Sequence, residues 1–428
     1  MARSPLPLTL TLNAAAATPL HAQLREGLRA AILDRRLPRG ARLPASRVLA
    51  ADLGCARGTV VLALEQLTAE GYLTARPGSP DPRGSPALRA AVAAYLAQAR
   101  GVACEPDDVI VTAGIRQSLR LLAELLLDPG ETALVEEPGF PGIAQALASA
   151  GLRPVPVPVG PGGLSVSPTA APVPGARLAV VTPAHHYPLG HAMSLENRLD
   201  LLAWAEAVSG WIVEDDYDGA YRYAGRPLAP LRALDRGGRV IYVGSFSKLL
   251  LPALGLSYLV LPRGLVAPVN QALAETGPAP PGIGQWALAR FIEDGHLAGH
   301  LRRTRRLYGL RQEALIEAAR RHAGDVAAIA PMEGGMHVIA RPGPAWSPTL
   351  ADAAAAAALA RAGISAVALS AYHAGPAEPG LLLGYAAVPE RAIEPAVRRM
   401  AEVLRAAPDP RPDGHGRGAV SARSRPSP

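Results

Sequence analysis

With 428 residues, 49% of them apolar and only 4% aromatic, the chain is long enough for two or three globular domains, with a core built mostly from Ala, Leu and Val. That content excludes a natively disordered chain; the two cysteines, Cys55 and Cys104, form no CxxC pair and exclude a disulfide framework or a cysteine metal site; and no apolar run reaches the length of a membrane helix. The net charge is +7, and residues 1–80 hold ten Arg against five acidic residues, an N-terminal excess that suits a nucleic-acid module.

The alternation Leu6, Leu8, Leu10, Leu12 suggests a strand rather than a signal peptide. His21 to Asp34 then has helical spacing, with Leu24, Leu28, Ala31 and Ile32 on one face, and Pro38-Arg39-Gly40 breaks it. Ala45 to Leu53 predicts a second helix ended by Gly54, and Arg57 to Glu70 a third, with Val60, Leu64 and Leu67 aligned. Gly71 to Arg76 reads as a strand. Three helices with a tight turn between the second and third predict a helix-turn-helix.

From Pro86 the pattern changes. Leu88, Val92 and Leu96 mark a helix, Val109–Thr112 a strand, and Ala113-Gly114-Ile115-Arg116-Gln117 opens a helix that runs to Leu127. A strand, a glycine turn and a helix N-terminus form an anion site, because free amides and the helix dipole point at the ligand. Strands at 132–136, 178–182, 211–214 and 240–243 alternate with helices at 142–150 and 195–208, which predicts an α/β fold with a mostly parallel sheet. Residues 309–404 suit a smaller C-terminal domain, Ala353–Ala358 lies within one helix, and 407–428, rich in Pro, Gly, Ser and Arg, suits a disordered tail.

Lys248 is the sole lysine; the other 42 basic residues are Arg. A lysine kept against that background suggests chemistry closed to a guanidinium, since an amine can lose its proton and attack a carbonyl to form a Schiff base. It follows a short buried strand, Arg239 to Phe246, and the hydroxyls of Ser245 and Ser247 stand beside it, as a phosphate would want.

These residues reach two families. Gly40-Ala41-Arg42-Leu43-Pro44-Ala45-Ser46-Arg47, Leu53-Gly54-Cys55-Ala56-Arg57-Gly58-Thr59-Val60 and Leu67-Thr68-Ala69-Glu70-Gly71-Tyr72-Leu73 resemble the GntR-type winged helix over about residues 18–78. The resemblance implies DNA contacts by Arg42, Ser46, Arg47, Arg57, Gly58 and Thr59. The family's second wing strand is not expected, because Pro77, Pro80 and Pro82 cannot donate to a ladder. Residues 86–405 resemble the fold-type I aminotransferases, which bind pyridoxal 5′-phosphate (PLP). That likeness makes Lys248 the Schiff-base lysine, Asp215 the partner of the pyridine nitrogen, Tyr217 the partner of the 3′-oxygen and Phe140 the ring-stacking aromatic. Ser245, Ser247, Gly114, Ile115 and Arg116 fall on the phosphate cradle, and His185 and Tyr187 on the loop beside the 3′-oxygen.

A winged helix fused to such a domain is the arrangement of the MocR regulators, which Glu214-Asp215-Asp216-Tyr217-Asp218, Val243-Gly244-Ser245-Phe246-Ser247-Lys248 and Leu381-Leu382-Leu383-Gly384-Tyr385-Ala386 resemble in detail. The resemblance implies a cytoplasmic homodimer that binds double-stranded DNA and senses PLP, an amine or an amino acid through an internal aldimine. The expected domains are a winged helix-turn-helix at 1–78, a short linker at 79–85 and a PLP-dependent transferase fold at 86–406. Seven linker residues reach at most about 25 Å. The chain also departs from the pattern. The family's long linker and first aminotransferase segment are missing, Gly255 replaces a phosphate-binding Arg, and Gly142 stands where GABA-responsive members carry Arg. Leu382 replaces the Arg that aminotransferases use for the substrate carboxylate, which speaks against efficient turnover. The alternatives are a working aminotransferase with an accessory domain, and a DNA-binding protein whose cofactor domain is a scaffold only.

Overall fold

The computed structural model describes residues 10, 12, 13, 16, 18–38, 41, 43, 44, 46–73, 81–167, 173–224, 229–276, 282–347 and 349–406. The chain divides into two compact units, Met1–Ser79 and Pro80–Pro428.

In the first unit, α1 (Leu20–Leu33), α2 (Ser46–Asp52) and α3 (Arg57–Ala69) close around Leu24, Leu28, Leu49, Val60, Ala63 and Leu67, all 2% exposed or less. The apolar stripe at i, i+3, i+4 and i+7 makes that core, because each helix has one face to bury. Leu10 and Leu12 pack against the same cluster. The Arg29 guanidinium donates to the Tyr72 hydroxyl at 3.1 Å and lies over its ring, so α1 holds the chain that leaves α3. Gly71–Leu73 form a turn and not the start of the expected strand, since Gly71, Tyr72 and Leu73 donate back to the α3 carbonyls of Thr68 and Leu67. The rest of that expected strand, 74–76, lies outside the described residues, as do the second wing strand and the tail at 407–428.

The second unit is built on an eight-stranded sheet. In chain order the strands are β1 (Val109–Thr112), β2 (Thr132–Glu137), β3 (Arg153–Gly160), β4 (Gly163–Leu164), β5 (Ala176–Val181), β6 (Trp211–Asp216), β7 (Val240–Ser245) and β8 (Ser257–Val260). Their spatial order is β1-β8-β7-β6-β5-β2-β3-β4. β2, β3, β5, β6 and β7 pair in parallel, while β8 runs antiparallel between β1 and β7. Alternate residues bury on opposite faces. Ala133 and Val135 meet the helices at Ile115–Leu126, Pro141–Ser149 and Arg263–Thr276, whereas Leu134 meets the helix at Leu195–Ala207. A sheet covered on both faces reads in sequence as short apolar runs, as these strands do.

A second sheet of β9 (Ala327–Ile329), β10 (His337–Pro342), β11 (Val367–Ala368) and β12 (Leu381–Gly384) is antiparallel throughout, in the order β11-β12-β10-β9. It packs under the Glu390–Ala406 helix and the C-terminal half of a long helix, His296–His322, which begins earlier than the expected start of this region at 309. The expected strand 239–246 ends at Ser245, and Phe246 instead opens the Phe246–Leu249 helix that carries Lys248.

Candidate cofactor site and nucleic-acid interface

The parallel strands deliver their chemistry at their C-terminal ends. At the end of β6, neighbouring side chains leave on opposite sides. Asp216 accepts from Arg100 Nε at 2.9 Å and from the Tyr242 hydroxyl at 2.5 Å, which fixes the strand end. Asp215 is 7% exposed, and its carboxylate has no hydrogen-bond or ion-pair partner among the described residues. Burial, with the like charges of Asp216, Glu136 and Asp218, pushes it up to about 8, and Lys248 pulls the other way. Lys248 follows β7, the strand paired with β6, and its charge acts on both Asp215 and His337.

Beyond the strand end, the Tyr217 hydroxyl lies 3.1 Å from His185 Nδ1, and the same nitrogen lies 3.0 Å from Asp218 Oδ2. Burial and the carboxylates of Asp218 and Asp215 hold the Tyr217 phenol well above its usual range, so it stays a hydrogen-bond donor. The loop after β5 carries His185, His186 and Tyr187. Its root is pinned by the buried Glu136 carboxyl, which accepts from the Thr182 amide at 3.1 Å and from its hydroxyl at 2.5 Å, and which burial raises to about 7. His186 beside it is pushed down to about 3 by burial.

Aromatic rings enclose the space these groups face. Tyr187 meets Phe140, Tyr217, His337 and Tyr372 edge to face, with centroids 6.1, 5.9, 5.3 and 5.2 Å away. Its hydroxyl is 2.8 Å from that of Tyr372. His337, on β10, donates from Nε2 to the Pro188 carbonyl oxygen, 3.0 Å away, and burial lowers its pKa to about 4.

After β1, Gly114 adopts φ 126°, a conformation that only glycine takes readily, and turns the chain into the Ile115–Leu126 helix. The first amides of a helix have no partner within it, so this N-terminus can donate to an anion. The Arg116 guanidinium donates to Gln145 at 3.2 Å. Ser245, at the end of β7, accepts from Ser257 at 3.3 Å, and Ser247 follows on the helix of Lys248. Gly255 adopts φ 56° with nothing within 4 Å of where a Cβ would stand.

The arrangement fits PLP. A buried carboxylate lacking a cation suits a protonated pyridine nitrogen, a raised phenol suits the 3′-oxygen, and a helix N-terminus with serine hydroxyls suits the phosphate. The sequence reading missed His337, Tyr372 and Arg100, which are single residues far from the motifs; Glu136, at the end of the expected strand 132–136 and four residues before Phe140, and Asp218, inside the quoted Glu-Asp-Asp-Tyr-Asp stretch, had no role assigned. Leu382, where aminotransferases keep Arg, is 8% exposed among Ile339 and Leu369, with Tyr187 and Tyr372 packed against them.

In the first unit, Arg57, Gly58 and Thr59 form the N-terminus of α3, and Arg57 and Gly58 are exposed. Arg57 Nε donates to Ser46 Oγ at 3.3 Å, so the starts of α2 and α3 share one surface. Arg47 is helical, but its side chain lies outside the described residues, as does Arg42.

Residues 60–400 match the family described as aminotransferase class I and II, and residues 20–80 match the bacterial regulatory proteins of the gntR family. The chain is 35% identical to the probable rhizopine catabolism regulatory protein MocR of Rhizobium meliloti over 473 aligned positions, which cover 91% of this chain and 95% of that protein. It is 32% identical to the pyridoxine biosynthesis transcriptional regulator PdxR of Corynebacterium glutamicum, over 88% of this chain and 94% of that one. In fold it is similar to the Pyrococcus horikoshii kynurenine aminotransferase, with a TM-score of 0.67 at 24% identity, over 81% of this chain and 85% of that one.

Proposed function

We propose, from the premise that this chain belongs to the MocR-type transcription regulators, that it is a homodimer whose operator binding responds to PLP or to an amine or amino acid that reacts with PLP. Members join a GntR-type DNA-binding domain to an aminotransferase-like, PLP-dependent domain, and this chain has both. The observation that carries the reading is the unpaired Asp215 carboxylate within reach of the Lys248 charge, with the Tyr217 phenol two residues on, just past the strand end. Bound PLP supplies an aldehyde and an electron-withdrawing ring. Lys248 would hold the aldehyde, Asp215 would keep the ring nitrogen protonated, and Tyr217, positioned by His185, would donate to the 3′-oxygen. Phe140 and Tyr187 cover the ring, and Ser245, Ser247 and the Gly114-Ile115-Arg116 amides hold the phosphate.

On this reading Arg42, Ser46, Arg47, Arg57, Gly58 and Thr59 contact DNA, and the protein works in the cytoplasm. An apolar patch supports the dimer. Leu251, Ile283 and Trp286 are 51%, 87% and 66% exposed, and a Cβ added at Gly284 would stand 3.8 Å from Leu256 and 4.0 Å from Leu254, so the patch spans adjoining elements. A second copy covers it.

An active aminotransferase is the weaker reading. With Leu382 inside an apolar cluster, a substrate carboxylate has no guanidinium there. The alignment with the rhizopine regulator is longer than this chain, so that protein carries residues for which this one has no counterpart, in keeping with the missing linker and first segment.

The test is a PLP titration of purified protein, followed by borohydride reduction, peptide mapping and gel shift. The expected result is a visible band above about 400 nm, the characteristic absorption of lysine-bound PLP, with the label on Lys248 and DNA affinity that changes with PLP. A band that survives Lys248→Ala rejects the lysine; no band at all favours the scaffold reading; sustained turnover of amino acids with 2-oxo acids favours the enzyme.

A further inference from the structure

We propose that the cavity behind Tyr217 is a second small-molecule site, one for a short-chain carboxylate, and that His185 joins it to the cofactor site. It encloses about 360 Å³, and its walls include Tyr95, Arg100, Arg222, Leu301 and Arg305, with His185 between it and Tyr217. That volume lies within the range of about 300–1,000 Å³ usual for ligand pockets.

The lining holds more donors than acceptors. Its carboxylates are already engaged: Asp218 by His185 Nδ1 at 3.0 Å, and Glu333 by Arg222. Arg100 is likewise engaged by Asp216. Two buried donors are left over, and one guanidinium has no carboxylate. His185 Nε2 and Arg222 Nε are buried with no partner among the described residues. Arg305 gives Nε and Nη2 to the Ala220 carbonyl at 3.0 and 2.8 Å and has no carboxylate partner among the described residues. His185 is only 7% exposed, so Nε2 has no water surface to turn to. It lies on the side of Gly190 and Gly335, which line the same cavity: a Cβ on either would stand 3.3 or 2.7 Å from it. Burial lowers the proton affinity of this imidazole, but the charge and hydrogen bond of Asp218 outweigh it and the net shift is upward, which favours N–H at both ring nitrogens.

Buried donors without acceptors are costly, and a carboxylate with its planar pair of oxygens satisfies guanidinium and imidazolium N–H together. Tyr95, Ala99 and Leu301 add apolar wall, so an acid with a short hydrocarbon body fits better than inorganic phosphate. An acceptor on Nε2 changes the charge that Nδ1 shares with Asp218 and Tyr217, and Tyr217 is the residue next to the cofactor's 3′-oxygen. This second step rests on the cofactor reading above; the cavity itself does not.

The experiment is calorimetry on the full-length apoprotein with succinate as probe, and with inorganic phosphate and propylamine as comparators. The expected result is one succinate per chain, bound at least about tenfold tighter than phosphate, one decade being about 1.4 kcal/mol, with no heat from propylamine. Arg222→Gln with Arg305→Gln weakens succinate at least about tenfold and leaves PLP uptake unchanged. Arg305→Gln alone, at an exposed helix position, gives the same direction should the double variant fold poorly. The His185 ring ¹⁵N resonances, assigned through His185→Gln, move on adding succinate to apoprotein, and the visible band of PLP-loaded protein moves with them. No succinate heat at millimolar concentration, equal affinity for phosphate, or binding untouched by the Arg variants overturns the site. Unmoved His185 resonances overturn the link. Failure of the wild type to take up PLP sinks the cofactor reading and leaves the calorimetry to decide the cavity.

Discussion

The ring of Phe140 lies across the Cα of Gly142: a Cβ added there would stand 2.5 Å from Phe140 Cε1 and 2.9 Å from Arg116 Nε. Glycine is therefore what lets the aromatic and the guanidinium share one corner of the cofactor site. Gly142→Ala should displace Phe140 and weaken PLP binding by about tenfold, in line with about 1–3 kcal/mol for overpacking a tight site. Fluorescence or absorbance titration of the variant against wild type checks this, with unchanged affinity as the contrary result.

Asp215 gives the apoprotein a pH signature. Its folded-state pKa is raised to about 8, against about 3.9 in the unfolded chain. Below the lower value both states hold the proton. Between the two, the unfolded chain ionises while the fold keeps its proton, so this group makes stability fall as pH rises. Asp215→Asn removes that loss. The variant apoprotein should melt higher than wild type at pH 8, by a margin that shrinks to nothing near pH 4. His186 and His337, lowered to about 3 and about 4, contribute stability that is lost as pH falls below about 6.5; that acid-side loss is common to both proteins and cancels in the difference. PLP should stabilise the Asn variant less than the wild type. Thermal melts across pH 4–8, with and without PLP, provide the measurement.

Gly255 sets two effects against each other. An Arg there would bring a charge-assisted contact to the phosphate, about 1.5–3 kcal/mol. The left-handed backbone, φ 56°, would oppose it by about 1–2 kcal/mol, while the space around Cβ is open. The expected outcome of Gly255→Arg is an apoprotein of lower melting temperature that binds PLP several-fold tighter. Tighter binding without the stability loss would mean that the backbone at 255 relaxes; no gain in affinity would place the phosphate elsewhere.

Arg57 should matter to DNA because it stands exposed at the start of α3, tied to Ser46 at the start of α2. Arg57→Ala together with Arg47→Ala should weaken operator binding and flatten its salt dependence, the log–log slope falling by about 0.9 for each phosphate no longer neutralised. Gel shifts over a salt series read both effects, and retained affinity would move the reading surface to other residues.

The residues proposed for the cofactor site were legible in the sequence alone, because they sit in short local runs. A single lysine after a buried strand, Asp215 and Tyr217 two residues apart, and Gly114 before a helix can each be read from immediate neighbours. The helix-turn-helix was legible for a similar reason: i, i+3, i+4 spacing in α1 and α3 already states which face is buried. Only the tertiary structure decided what surrounds those groups. Strand order and direction come from hydrogen bonds between distant segments, so nothing in Ser257–Val260 itself announces an antiparallel strand between β1 and β7. The closeness of Tyr372 to Tyr187, 185 residues apart in the chain, depends on the second sheet standing beside the first. The same holds for Arg100 and Asp216, 116 residues apart, and for the donor-rich cavity behind Tyr217. Residues on unconnected elements carry no mutual pattern in sequence, and only packing brings their charges within reach of one another.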